Sequence, residues 1–80
     1  MEKEFEVDSV YEKLVYDTLN DVYKTLKERG YNPMSQIVGY ILSGDLGYIS
    51  NYKGARRKIS KLERSALVEI LLKKFLIWDV

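Results

Sequence analysis

The sequence predicts an all-α fold: a compact bundle of four to five short helices that pairs into a helical homodimer. Three observations carry that prediction. Tyr11, Val15, Leu19, Val22 and Leu26 recur every three or four residues, which is the period of one helix face. Residues 30–45 hold three of the five glycines and the only proline, placed where a helix would start and stop. The last stretch is apolar on two sides, so one 80-residue copy has no use for both.

Taking the chain in order, Met1 to Asp8 alternates charge with Phe5 and Val7 and is too short for a stable strand, so a mobile N-terminal tail is expected ahead of a single helical domain over 9–80. Ser9 and Glu12 stand at capping-box spacing and open a helix predicted from Val10 to Arg29. Its apolar stripe is flanked by Tyr16 and Tyr23, its charges face away, and Gly30 closes it. Asn32 then caps a second helix with Pro33 at its first position, where a missing N–H costs nothing. Met34, Ile37, Val38, Ile41 and Leu42 form its predicted buried face, and Ser43-Gly44 ends it. Gly39 in mid-helix costs about 1 kcal/mol relative to alanine, which implies that a neighbour packs against its bare backbone.

Asp45 caps a single turn through Leu46 to Ile49 that buries Tyr48, Ile49 or both. Ser50-Asn51 reads as the next cap, before a helix from Tyr52 to Ser60, and Ser60 with Glu63 repeats the capping-box spacing before a last helix from Lys61 to Ile77. No glycine or proline separates these two, so one bent helix is the alternative. On the last helix Leu67, Val68, Leu71, Leu72, Phe75 and Trp78 cover a wide apolar face, and Ile70 with Ile77 makes a second stripe. Ile70, Ile77 and Trp78 are the candidate dimer interface.

Composition narrows the function. With neither cysteine nor histidine there is no disulfide, no thiol nucleophile, no zinc site and no imidazole for acid–base work, and no Gly-rich phosphate loop is present. The expectation is a protein that is not an enzyme and takes no metal or cofactor. The apolar runs are far shorter than the roughly 20 residues of a membrane span and the acidic start does not read as a signal peptide, so a cytoplasmic protein without membrane insertion is expected.

The net charge of +1 conceals an asymmetry: residues 1–30 carry five basic and eight acidic side chains, residues 51–64 six basic and one acidic. Lys53, Arg56, Arg57, Lys58, Lys61 and Arg64 could meet the phosphates of a nucleic acid, or the basic segment could face the acidic helix. The second reading is favoured, with Arg56 and Arg64 paired to carboxylates such as Asp45, because the overall charge is too small for a typical nucleic-acid binder. Tyr31, Tyr40, Tyr48 and Tyr52 cluster around the second helix, either as half-buried core residues or as rigid contact area for a partner. Gln36 has no capping duty and is a candidate for a specific polar contact. Tyr31, Gln36, Tyr40, Tyr48, Arg56 and Arg64 together make the candidate partner surface.

The strings Gly30-Tyr31-Asn32-Pro33, Gln36-Ile37-Val38-Gly39-Tyr40 and Leu42-Ser43-Gly44-Asp45 resemble the signature of the IreB family, small cytosolic proteins of Gram-positive bacteria. Tyr48-Ile49, Ala55-Arg56, Ile59, Lys61, Glu63-Arg64 and, upstream, Thr18-Leu19 and Asp21-Val22-Tyr23 extend the match in the same order over about Val15 to Leu76. The resemblance implies a homodimeric, non-enzymatic regulator of cell-envelope stress and cephalosporin-resistance signalling beneath a membrane Ser/Thr kinase, acting by protein–protein contact. It also implies phosphorylated threonines in the N-terminal tail, but Met1 to Asp8 has neither threonine nor serine and Glu2 stands where one such threonine would. Ser9 is the nearest hydroxyl and the candidate phosphorylation site.

Overall fold

In the computed structural model, which describes residues 9–76, four α-helices and one 3-10 turn follow one another: α1 (Ser9–Glu28), α2 (Pro33–Ser43), the turn Leu46–Tyr48, α3 (Ala55–Ser60) and α4 (Arg64–Phe75). No strand occurs among the described residues, as the periodicity required. Residues 1–8, with the expected tail, and 77–80, with Ile77 and Trp78, lie outside the described part.

α1 buries Val15, Val22 and Leu26 along the expected stripe, with Tyr11 and Leu19 packed beside them. Ser9 is itself helical and so does not hold the cap position expected of it. Its C-terminal end closes with Gly30 at φ +92°, where Tyr31 N–H donates to Leu26 O at 3.1 Å and Gly30 N–H to Lys27 O at 3.0 Å. That crossed pair of bonds satisfies two carbonyls that a helix end otherwise leaves open.

α2 follows its punctuation. Asn32 Oδ1 accepts from Ser35 N–H at 3.2 Å, Pro33 takes the first position, and Gly44 at φ +78° donates its N–H to Tyr40 O. The residues it buries differ from expectation. Ile37 and Ile41 pack on the core, but Met34, Val38 and Leu42 are exposed and Tyr40 is only 6% exposed. The five apolar positions spread too widely around the helix for one contact face, and the ring of Tyr40 takes the place of the smaller side chains.

The basic segment is also rearranged. Lys53 at φ +51° and Gly54 at φ +75° turn the chain, so α3 begins at Ala55, three residues later than expected, with no side-chain cap. α4 begins at Arg64 with Glu63 at the N-cap position and is separate from α3, and the Ser60–Glu63 capping box does not form. Ser60 Oγ donates to Arg57 O within its own helix, while Glu63 N–H donates to the hydroxyl of Tyr11 at 3.0 Å. A side chain from the first turn of α1 thus caps α4, and Lys74 near the other end of α4 pairs with Glu12 at 3.3 Å.

Two apolar clusters result. One gathers Val22, Leu26, Tyr40, Ile49, Ala55 and Ile59 between α1, α2 and α3; the other gathers Val15, Leu62, Leu67 and Ile70 between α1 and α4. Leu19 and Ile41 touch both and join them. Fully burying a side chain such as Leu26 or Ile59 contributes about 1.5–3 kcal/mol. Placing Ile70 on an outer stripe is therefore corrected. It is 6% exposed and points inward, while Val68, Leu71, Leu72 and Phe75 of the wide apolar face are exposed.

Candidate functional site

The surface built by α2 and the segment after it starts from Gln36. Its Oε1 accepts from Ser50 N–H at 2.8 Å and its Nε2 donates to Ser50 Oγ at 3.1 Å, a two-bond clamp across 14 residues of chain. Gln36 is half-buried and makes, with Ser50, the specific polar contact for which the sequence singled it out. The same clamp explains why Ser50 is not the cap of α3.

One turn along, Gly39 receives the ring of Tyr48. A Cβ at Gly39 would lie 2.5 Å from Tyr48 Cδ1, so the bare backbone is the seat of that ring. Asp45 Oδ1 holds the turn by accepting from Gly47 N–H at 2.8 Å, and Ile49 is buried where Tyr48 remains 52% exposed.

Both arginines bond carbonyls and not the carboxylates expected, Arg56 half-buried and Arg64 exposed. Arg56 Nε donates to Ile49 O at 2.6 Å and Arg64 Nη1 to Ile41 O at 2.9 Å. Ile41 O is among the last carbonyls of α2, so the Arg64 cation satisfies an open acceptor at the negative end of the helix. Asp45 serves its own turn.

Two lysines of the basic segment face α1, while Arg57 and Lys61 are exposed. Lys58 pairs with Asp21 at 2.8 Å and Lys53 with Glu28 at 3.1 Å. The hydrogen bond from Lys58 holds the Asp21 carboxyl below its ordinary range, and the bond to Glu28 raises Lys53. Lys53 and Arg29 also lie over the ring of Tyr52, at 5.4 and 5.7 Å from its centroid. The charge asymmetry of the sequence is thus in part an intramolecular complementarity, carried by Lys53 and Lys58.

Of the six candidate surface residues, Tyr40 is core, Gln36 and Arg56 are half-buried in bonds within the chain, and Tyr31, Tyr48 and Arg64 are exposed, Arg64 while bonded to Ile41 O. Beside them the structure adds Met34, Val38 and Leu42, spaced i, i+4, i+8 on the outside of α2 and 62%, 43% and 79% exposed. A second apolar face runs along α4 through Val68, Leu71, Leu72 and Phe75. The sequence marks these residues as apolar helix faces, and on α4 the excess of apolar positions over what a single face accommodates is the signal that one face stays outside.

Between α1 and α4 lies a groove of about 680 Å³, floored by Val15, Leu19 and Ile70 and rimmed by Ser9, Lys13 and Lys74. Among the described residues no group of three or more acidic, histidine or cysteine side chains converges as a metal site, and no helix is long and apolar enough to cross a membrane. The arrangement offers contact area and buried polar clamps. The family model described as IreB regulatory phosphoprotein matches residues 2–77, nearly the whole chain.

Proposed function

Because this chain belongs to the IreB family of regulatory phosphoproteins, we propose that it acts without catalysis, as a cytoplasmic homodimer that binds a further protein. The outer face of α4 carries the proposal. α4 buries Ala66, Leu67 and Ile70 against its own subunit and presents Val68, Leu71, Leu72 and Phe75 on the other side, with Phe75 88% exposed. A chain of this size with two small clusters gains from covering such a face, and a second copy covers it symmetrically. The interface expected at Ile70 therefore moves to Leu71, Leu72 and Phe75. α2, with Met34, Val38, Leu42, Tyr31 and Tyr48, is left as the surface for the further protein partner. The family supplies the setting we infer: negative regulation of cell-envelope stress and cephalosporin-resistance signalling beneath a membrane Ser/Thr kinase.

The alternative of a nucleic-acid binder on Arg57, Lys61 and Arg64 loses support because Arg64 bonds Ile41 O and the neighbouring Lys53, Arg56 and Lys58 hold partners within the chain, which leaves Arg57 and Lys61 as a narrow exposed basic pair.

Light scattering on the native chain and on a Leu72→Glu, Phe75→Glu double variant tests the dimer. We expect twice the chain mass for the native protein and a folded monomer for the variant. A native monomer at high micromolar concentration, or a dimer indifferent to the double variant, overturns this interface.

A further inference from the structure

We propose that the open pocket beside α3, lined by Leu46, Asn51, Arg56, Arg57 and Ser60, binds an acidic peptide segment of a protein partner. The proposal rests on the reading above that this chain acts by binding a protein, and it adds where the partner's carboxylates go. The pocket holds about 760 Å³ and opens at the turn that follows α2. Leu46 shares that turn with exposed Tyr48, so a segment crossing it meets apolar contact area and two guanidinium groups in succession.

The cations of this chain are divided by type. Among the described residues every ion pair is made by a lysine: Lys13, Lys53, Lys58, Lys73 and Lys74 each hold a carboxylate. None of the four arginines does. Arg29 lies over the ring of Tyr52, Arg64 bonds Ile41 O, Arg56 bonds Ile49 O, and the side chain of Arg57 is exposed with no partner among the described residues. Yet guanidinium is the cation whose planar fork meets a carboxylate through two parallel bonds, whereas an ammonium pairs as a solvated point charge. The side chains best suited to a carboxylate are the ones the fold leaves without one.

Two of those arginines meet at this pocket, and no carboxylate lines it. Arg56 is half-buried, and its Nε–H donates to Ile49 O at 2.6 Å, which anchors the guanidinium and leaves both Nη groups for a ligand. A side chain held in place beforehand loses less freedom on binding. The rest of the lining selects a peptide over a phosphate. Ser60 Oγ has given its hydrogen to Arg57 O and offers lone pairs only, and the Asn51 amide has a donor and an acceptor without partners among the described residues. Phosphate dianions bring acceptors alone, which Ser60 Oγ and Asn51 Oδ1 repel. A peptide brings backbone N–H groups to those oxygens, a C=O to the Asn51 donor and its side-chain carboxylate to the arginines.

NMR on the full chain tests the site with a capped hexapeptide alternating glutamate and leucine, its glutamine counterpart, inorganic phosphate and single-stranded DNA. At millimolar glutamate peptide the signals of Asn51, Arg57 and Ser60 should move and those of Ser9 and Lys13 should stay, and the glutamine peptide should move none of them. Arg57→Gln removes no side-chain bond within the chain and should weaken binding about tenfold. Lys24→Gln, an equal loss of charge on the exposed side of α1, should leave binding unchanged. Unmoved signals with the glutamate peptide overturn the site, as does equal weakening by the two variants. Phosphate or DNA moving the same signals further than the glutamate peptide at equal concentration also overturns it, in favour of a phosphate ligand. Light scattering on the Leu72→Glu, Phe75→Glu variant is independent of these outcomes, so failure of this pocket is distinguishable from failure of the dimeric reading.

Discussion

The ring of Tyr48 is seated on the backbone of Gly39: a Cβ there would approach Cδ1 to 2.5 Å, Cε1 to 2.9 Å and Cγ to 3.0 Å. Three ring atoms including Cγ are involved, so the side chain cannot clear the space by moving its tip. Replacing Gly39 with alanine gains about 1 kcal/mol of helix propensity and loses more than that to the displaced ring. We expect Gly39→Ala to lower stability by about 1–2 kcal/mol net. In a Tyr48→Ala background the same change should become neutral or stabilising. Urea unfolding of the four chains in this cycle checks it, and equal effects in both backgrounds would sink the packing account.

The Gln36–Ser50 clamp makes an asymmetric prediction. Gln36→Ala removes both bonds and leaves Ser50 N–H without its acceptor, whereas Ser50→Ala removes only the bond to the hydroxyl. We expect losses of about 2 kcal/mol for the first and about 1 kcal/mol or less for the second. Amide exchange at Ser50 should accelerate in Gln36→Ala alone.

Arg64 and Gly44 form the joint between α2 and α4. A Cβ at Gly44 would fall 2.7 Å from Arg64 Nη2, and Gly44 has φ +78°. Gly44→Ala therefore carries about 1–2 kcal/mol of left-handed backbone cost and pushes the guanidinium off Ile41 O. Arg64→Ala alone costs about 1 kcal/mol. The double variant should cost less than the sum, because the second change removes a bond that the first has already strained; strict additivity in thermal unfolding would count against the joint.

Asp21 predicts the sign of one acid-limb effect. Its carboxyl is held below the ordinary range first by the hydrogen bond from Lys58. A carboxyl depressed in the folded state contributes stability above its unfolded value and loses it as pH falls through the folded value. The pair is half-exposed, so the contribution is small and screened by salt. Asp21→Asn should flatten the fall in urea midpoint below the ordinary carboxylate range and have its largest effect near neutral pH at low salt. An effect that instead grows on acidification would overturn this assignment.

What the sequence by itself determined is the local grammar. The bounds of α2 follow from Asn32, Pro33 and Gly44, because each acts through a hydrogen bond or a dihedral within four residues of itself. The α1 stripe was legible for a related reason, since its charges leave only one apolar face to bury. Tertiary structure decided everything that had two local solutions. α4 is apolar on both sides, so only the approach of Val15 from α1 and of Leu62 selects Ile70 for the interior and leaves Leu72 outside. Arg56 and Arg64 needed partners, but carbonyls left open at Ile49 and Ile41 are invisible in a string of side chains. The cap of α4 was hidden for the same reason. Glu63 N–H finds its acceptor 52 residues away, on the hydroxyl of Tyr11, which only the packing of α4 against α1 brings within reach.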